Sequence, residues 1–329
     1  MKVIIPVAGI GTRLRPHTYT VPKVLLHVAG KPILGHILDI VKKLRISELV
    51  LITGFLGDQI VDYVRKNYDF KCKFIEQREL KGLGYAISRA CPEMRDDEPV
   101  LIILGDTIFD ADLVPVIRGD YNALGVKKVA DPRRFGIVMM KGRFVQRLIE
   151  KPERPTSHLA VVGVYFIKNT RLLKQCLEHI IKNKIMTKNE YQLTDALQLM
   201  IHRKTNFKTF KIKEWYDCGK PETLLETNRK LLVKLNPVSQ IKSALILPPV
   251  FVSKSARVEN CILGPNVSVA DKAILRNSII RNSIIGIQAS VENSTLDSSL
   301  VGNRAQVKGV FRQLNVGDSS EINLTQPHL

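Results

Sequence analysis

Over the first hundred residues, short aliphatic and β-branched runs alternate with segments whose apolar residues recur every three or four positions. "KVIIPV" reads as a buried strand. "KPILGHILDIVKKL" places Ile33, Ile37, Ile40, Val41 and Leu44 on one face of a helix, with Pro32 in its first turn. "ELVLIT" returns to strand, "DQIVDYVRKNY" to helix, "CKFIEQ" to strand, and "GLGYAISRAC" to helix before the strand "PVLIILGD". This alternation predicts an α/β domain built on a doubly wound, mostly parallel sheet, with ligands bound beyond the carboxyl ends of the strands. The glycine-containing loop after the first strand and Asp106 after the last both fall at such ends.

Beyond Pro248-Pro249 the pattern changes. Aliphatic step markers at Val252, Val258, Leu263, Val269, Leu275, Ile280, Ile285, Val291, Leu296, Val301 and Val307 are spaced five or six residues apart. The residue four further on is apolar or small each time, from Ala256 and Ile262 through Thr295 to Phe311. A hexapeptide repeat of this kind predicts a parallel β-helix, in which each short strand forms one wall of a prism. The expected organisation is a first domain over residues 1–235, a linker over 236–250, a β-helix over 251–315 and a tail over 316–329.

Composition narrows the picture. The hydropathy is that of a globular chain, and no segment approaches the roughly 20 apolar residues of a membrane span. The five cysteines, at 72, 91, 176, 218 and 261, form no CxxC pair, which argues against a disulfide framework or a zinc site. A cytoplasmic protein without membrane attachment is expected. The net charge of +19 lies mostly in scattered lysines of the first 235 residues, with little aromatic interleaving, and reads as a solvated surface with no nucleic-acid partner. A local imbalance is more telling, because Lys2, Arg13, Arg15, Lys23 and Lys31 all precede the first acid, Asp39. That concentration suits a polyphosphate.

The loop "GIGTRL" lacks the third glycine and the following acid of a dinucleotide fingerprint. The "GKP" triplets at Gly30 and Gly219 lack the Ser/Thr that completes a Walker A loop. What remains is a strand, a tight glycine turn whose N–H groups can face an anion, and neighbouring cations. The longer stretch "GIGTRLRPHTYTVPKVLLHVAGKPIL" resembles the G-x-G-T-R-L-x-P-x-T…P-K signature of the sugar-1-phosphate nucleotidyltransferases. Similar elements follow in order: "EQRELKGLGYAI", "LGDTIF", "RRFGIV", "EKP", "VGVYFI", "EYQLTDAL" and "WYDCGKPE". The chain is most similar in type to the long glucose-1-phosphate thymidylyltransferases. That resemblance implies a Rossmann-like nucleotide-diphospho-sugar transferase fold followed by a left-handed β-helix.

The resemblance also implies roles. Arg13, Lys23 and Asp106 would be catalytic; Ala8, Gly9, Gly11, Thr12, Gln77 and Gly82 would bind the nucleoside triphosphate. Gly136, Glu150, Lys151, Gly163 and Glu190 would bind the sugar 1-phosphate, and Asp106 with Asp217 would hold Mg²⁺. For Glu190 an acid favoured by a helix N-terminus is an alternative reading. Homo-oligomerisation through the β-helix is expected. The pair dTTP and glucose 1-phosphate is the first choice, with UTP and glucose 1-phosphate or GTP and mannose 1-phosphate as alternatives. Ala8 where the family commonly has glycine, and Thr107 where it often has Asn, leave the base open. Hexapeptide helices that transfer acyl groups generally carry a histidine base, and none occurs between Pro237 and Pro327. A catalytically silent regulatory homologue would tend to lose the phosphate and metal residues, which are retained here.

Overall fold

The computed structural model describes residues 1–236 and 241–309. The chain divides into two compact units, Met1–Leu235 and Asn236–Leu329. The expected tail 316–329, the last residues of the expected β-helix and Phe311 lie outside the described residues.

In the first unit, the strand Lys2–Pro6 lies between Glu48–Thr53 and Val100–Ile103, parallel to both, and Cys72–Glu76 extends the parallel half beyond Glu48–Thr53. Val3, Ile4, Ile5 and the run Leu49–Ile52 are fully buried, as strands covered on both faces require. The predicted helices appear at Ile33–Val41, Gly57–Asn67 and Leu83–Arg89. Helices Thr170–Lys182 and Leu193–His202 pack together over the second half of the sheet, burying Leu173, Leu177, Leu197 and Met200.

The second half of the sheet departs from the mostly parallel expectation. Leu159–Ile167 runs antiparallel to Val100–Ile103, to Asn122–Lys128 and to Gly136–Lys141, and the latter pairs antiparallel with Phe144–Glu150. The physical reason is local. Gly136–Lys141 and Phe144–Glu150 are joined by two residues, with Gly142 at φ 58, and only antiparallel strands can be joined so tightly.

His36, on the helix Ile33–Val41, donates from Nε2 to the Val28 carbonyl at 2.9 Å. Burial drives its pKa down from the usual 6.5 to about 4, against the Val28 bond and Asp39, which favour the charged form; Lys31 adds to the fall. The folded state therefore binds fewer protons than the unfolded chain between these values. The His36 contribution is complete above about pH 6.5 and is lost as pH falls toward 4, amounting to about 3 kcal/mol at most. His36→Gln should flatten this part of the stability profile in urea titrations at pH 4.5 and 7. An unchanged slope would remove His36 as its source.

Among its described residues the second unit contains three four-stranded parallel sheets. The step markers fall on them in rotation: Leu263, Ile280 and Leu296 in one wall, Val252, Val269, Ile285 and Val301 in the next, and Val258, Leu275, Val291 and Val307 in the third. This is the left-handed parallel β-helix expected, with a core of Leu263, Val269, Leu275, Ile280, Ile285 and Val291. Its first described rung is Ala244–Ile246, paired with Cys261–Leu263, inside the stretch 236–250 expected as a linker. The marker series missed it because it began beyond Pro248-Pro249, although Ile246 stands six residues before Val252 and keeps the step. Asn260, Asn277 and Asn293 occupy left-handed corners and are joined side chain to side chain, as are Asn266 and Asn282. Asparagine tolerates this backbone better than most residues.

Candidate active site

The site is assembled at the carboxyl ends of the parallel strands, where Gly105 donates to the Pro6 carbonyl at 3.3 Å and brings the first loop beside the segment after Ile103. Gly11 has φ 72, and a Cβ there would stand 2.9 Å from Lys23 Cβ. Only glycine suits both demands. Thr18 Oγ1 donates to the Gly11 carbonyl at 2.9 Å, pinning the turn that leads into Thr12–Leu14.

Lys23 follows Pro22 and is buried, yet its ammonium donates to Asp106 Oδ2 at 2.7 Å. The two side chains differ in exposure, 9% for Lys23 and 44% for Asp106, so the pair opens toward solvent on the carboxylate side. Burial opposes the charged form of Asp106, but the Lys23 charge and hydrogen bond, with a weaker bond from Thr107, hold its carboxyl below the ordinary range.

The strand Glu214–Asp217 pairs antiparallel with Thr107–Asp110, setting Asp217 opposite Thr107 and so beside the position of Asp106. Asp217 Oδ1 accepts from the Gly219 N–H at 2.9 Å, and Oδ2 lies 3.8 Å from the Arg134 guanidinium. Among the described residues no group of three or more His, Cys, Asp or Glu forms a ready-made metal cage. Two carboxylates lining one cleft are the donor set expected for Mg²⁺ when phosphate oxygens and water complete the octahedron, so the residues fit.

Two clefts meet here. The smaller, about 460 Å³, is lined by Ala8, Gly9, Gly11, Thr12, Lys23, Gln77 and Gly82 among others. Every residue expected to bind the triphosphate faces it. Gln77 is buried, and its Nε2 donates to the Glu79 carbonyl at 2.9 Å. The Ala8 methyl packs against Gly54, where a Cβ would come within 2.9 Å of it, so the Ala8 variation is accommodated by the neighbouring loop.

The larger cleft, about 910 Å³, is lined by Gly136, Glu150, Lys151, Gly163, Glu190 and Asp217 among others. Arg13, Asp106 and Glu190 belong to both. Glu150 ends its strand with only 10% of its side chain exposed, accepts from Thr194 Oγ1 at 2.9 Å and lies 3.5 Å from Lys151 Nζ. Gly163 has φ 82 and Gly136 is extended, but the close approach each permits is first to this chain itself. A Cβ at Gly163 would meet Leu104 at 2.7 Å, and one at Gly136 would meet Glu150 and Thr194 at 3.0 Å. Glu190 precedes the helix Leu193–His202, whose first-turn acid is Asp195, and accepts from Gln192 Nε2 at 2.8 Å. Glu190 thus stands two residues before the N-cap, Gln192.

Sequence reasoning passed over Thr194, Arg134, Lys188, Gln192 and Trp215, all of which line the larger cleft. Thr194 and Gln192 stand inside "EYQLTDAL" and Arg134 inside "RRFGIV", so the quoted motifs contained the signal.

Comparison with known proteins agrees with this geometry. The model of a family described as nucleotidyl transferase matches residues 2–234, and the chain belongs to that family. It is 40% identical over 238 residues to the bifunctional protein GlmU of Methanocaldococcus jannaschii, matching 72% of this chain and 55% of that protein. The chain thus spans about half the length of that relative. A glucose-1-phosphate thymidylyltransferase of Streptomyces griseus is 26% identical, with 99% of this chain and 100% of that protein aligned. Among solved structures, a UDP-glucose pyrophosphorylase complexed with UDP-glucose superposes with a TM-score of 0.61 at 24% identity, covering 71% of this chain and 98% of the other. That likeness bears on the fold.

Proposed function

We propose that the chain transfers a nucleotidyl group from a nucleoside triphosphate to a sugar 1-phosphate, releasing pyrophosphate. One observation carries the reading: Arg13 and Asp106 line both clefts, with Lys23 bonded to Asp106 where the clefts meet. A sugar phosphate oxygen from the larger cleft would attack the α-phosphorus of a triphosphate in the smaller one, in line with the leaving pyrophosphate. No protein nucleophile is required, so catalysis reduces to alignment and charge neutralisation.

Arg13 suits the leaving pyrophosphate, since its guanidinium offers a fork of donors to phosphate oxygens. Lys23 provides a point charge at the reacting phosphoryl, and the Gly9–Thr12 backbone offers N–H donors. Glu150 would accept from sugar hydroxyls, with Lys151 beside the sugar phosphate. Asp106 and Asp217 would hold Mg²⁺, whose charge offsets that of the phosphates. Gln77 gives one amide N–H to the Glu79 carbonyl, which leaves its own carbonyl and its second N–H for a base. Such an edge can pair with any base, so the choice stays among thymine, uracil and guanine, the bases of the three substrate pairs considered. Within that set, dTTP with glucose 1-phosphate is the specific proposal, in keeping with the end-to-end match to a relative of that name.

Pyrophosphate release across a panel of triphosphates and sugar 1-phosphates tests this directly. Release is expected only when both substrates and Mg²⁺ are present, and fastest with dTTP and glucose 1-phosphate. A faster UTP or GTP pair would reassign the base, and no turnover with any pair would favour a silent homologue. Self-association is part of the same proposal. Leu245, Ile262 and Ile279 stand in register on the outer side of one β-helix wall, with Leu245 and Ile279 well exposed. Ile279→Lys should lower the sedimentation coefficient of the assembly, and a monomeric wild type would remove the idea.

A further inference from the structure

Gly219 lies between the strand Glu214–Asp217 and the helix Pro221–Leu235, buried in the wall of the smaller cleft. Its N–H is the donor to Asp217 Oδ1 at 2.9 Å. A Cβ on it would stand 2.8 Å from that same oxygen and 3.2 Å from Arg13 Nη2. The absent side chain is thus the space against which the Asp217 carboxylate and the Arg13 guanidinium both rest. The Gly219 φ lies outside the left-handed region, so the backbone alone does not call for glycine. What calls for it is the room these two charged groups take up.

The backbone here is anchored on both sides, so a larger residue could not make that room by shifting it cheaply. Cys218, before Gly219, is fully buried. Lys220, after it, is tied into the first turn of the helix: its N–H donates to Thr223 Oγ1 at 3.2 Å, and its carbonyl accepts from Thr223 Oγ1 at 3.1 Å and from the Leu224 N–H at 2.9 Å. The two charged groups, by contrast, end side chains that reach solvent, Asp217 at 32% exposure and Arg13 more open still. An added Cβ therefore displaces those tips at little cost to the fold. Arg13 lines both clefts and Asp217 the larger one, so their displacement falls within the space the substrates would use.

We propose that Gly219 is a positioning residue: by its N–H and by the space its missing side chain leaves, it sets the Asp217 carboxylate and the Arg13 guanidinium in their places where the two clefts meet. That one glycine thereby serves both the Mg²⁺ donor and the pyrophosphate cation rests on the nucleotidyl-transfer reading; the placement of the two groups does not.

The test compares wild type with Gly219→Ala, Arg13→Ala, Asp217→Ala and the two double variants that join Gly219→Ala to each of the others. Gly219→Ala is expected to lower kcat about 100-fold, the scale of an ångström-sized misplacement, with the sugar 1-phosphate KM within about twofold. Its urea midpoint should match wild type. Each double variant should lose less than the product of its two single losses, because the alanine acts through a group already removed. Calorimetric titration of pyrophosphate in the presence of Mn²⁺ gives a reading without turnover, and Gly219→Ala should weaken that binding about tenfold. Wild-type kcat in Gly219→Ala, multiplicative losses in both cycles, or a lowered urea midpoint would overturn the proposal. If wild type turns over no substrate pair, the functional reading fails and the titration decides alone. Weakened binding in Gly219→Ala then upholds the placement; unchanged binding, or none in wild type, overturns it.

Discussion

An Asp106→Asn variant is expected to lose nucleotidyl transfer by a factor on the order of 10³ while remaining folded. Asparagine keeps the size of the side chain and an oxygen for the Lys23 ammonium 2.7 Å away, so the loop geometry has little reason to change. What disappears is the negative charge, and with it one of the two anionic donors proposed for Mg²⁺. Removing that charge also leaves Lys23, nearly enclosed, without a counterion. The stability cost should be about 1–2 kcal/mol, less than for a fully buried pair because the Asp106 side is open to water. The sign with pH follows from the lowered carboxyl: the pair contributes fully above the ordinary aspartate range and fades as pH falls through the depressed value. Kinetics at saturating Mg²⁺ and a denaturant titration separate the two effects. Wild-type turnover in Asp106→Asn would remove Asp106 from the metal role.

The second large effect concerns the other unit. Gly264→Ala is expected to destabilise the β-helix by about 3 kcal/mol or more. Gly264 has φ 114, a region closed to residues with a side chain, and a Cβ there would overlap the Leu247 carbonyl oxygen and crowd Val250. The obstacle is backbone, which cannot swing away as a side-chain tip can. Hydrogen exchange of residues 261–285 in the variant should rise toward the rate of local unfolding, with Lys2–Pro6 and Glu48–Thr53 unaffected. Unchanged protection in the β-helix would show that the corner can relax at little cost.

What could be read from the sequence depended on the range of the contacts involved. The glycine turn, Arg13 and Lys23 lie within fifteen residues of one another, and the alternation of the first strands and helices is a local pattern; both were legible. The β-helix markers were legible because a repeated step projects directly onto a repeated wall. The antiparallel half of the sheet was not, although "MMKGRFV" with Gly142 at its centre is a hairpin signal. Nor were the contacts that finish the site. Thr194 reaches Glu150 across 44 positions, and Asp217 comes beside Asp106 only because Glu214–Asp217 pairs with Thr107–Asp110. The outward direction of Ile262 and Ile279 was equally hidden, since a five-to-six-residue step marks the inner row and leaves the outer one to the register.

The walls of the second unit also have an arithmetic. Ile280 follows Leu263 by 17 residues and Leu296 follows Ile280 by 16, each one rung along the same wall. Every coil rests only on the coil before and the coil after it, so a coil excised whole leaves its neighbours facing equivalent surfaces. The length of this unit is therefore quantised at about 4.8 Å per coil. Duplication or loss of some sixteen codons in frame would lengthen or shorten the prism by one such quantum, whereas a change of five or six would turn every later strand onto the wrong wall.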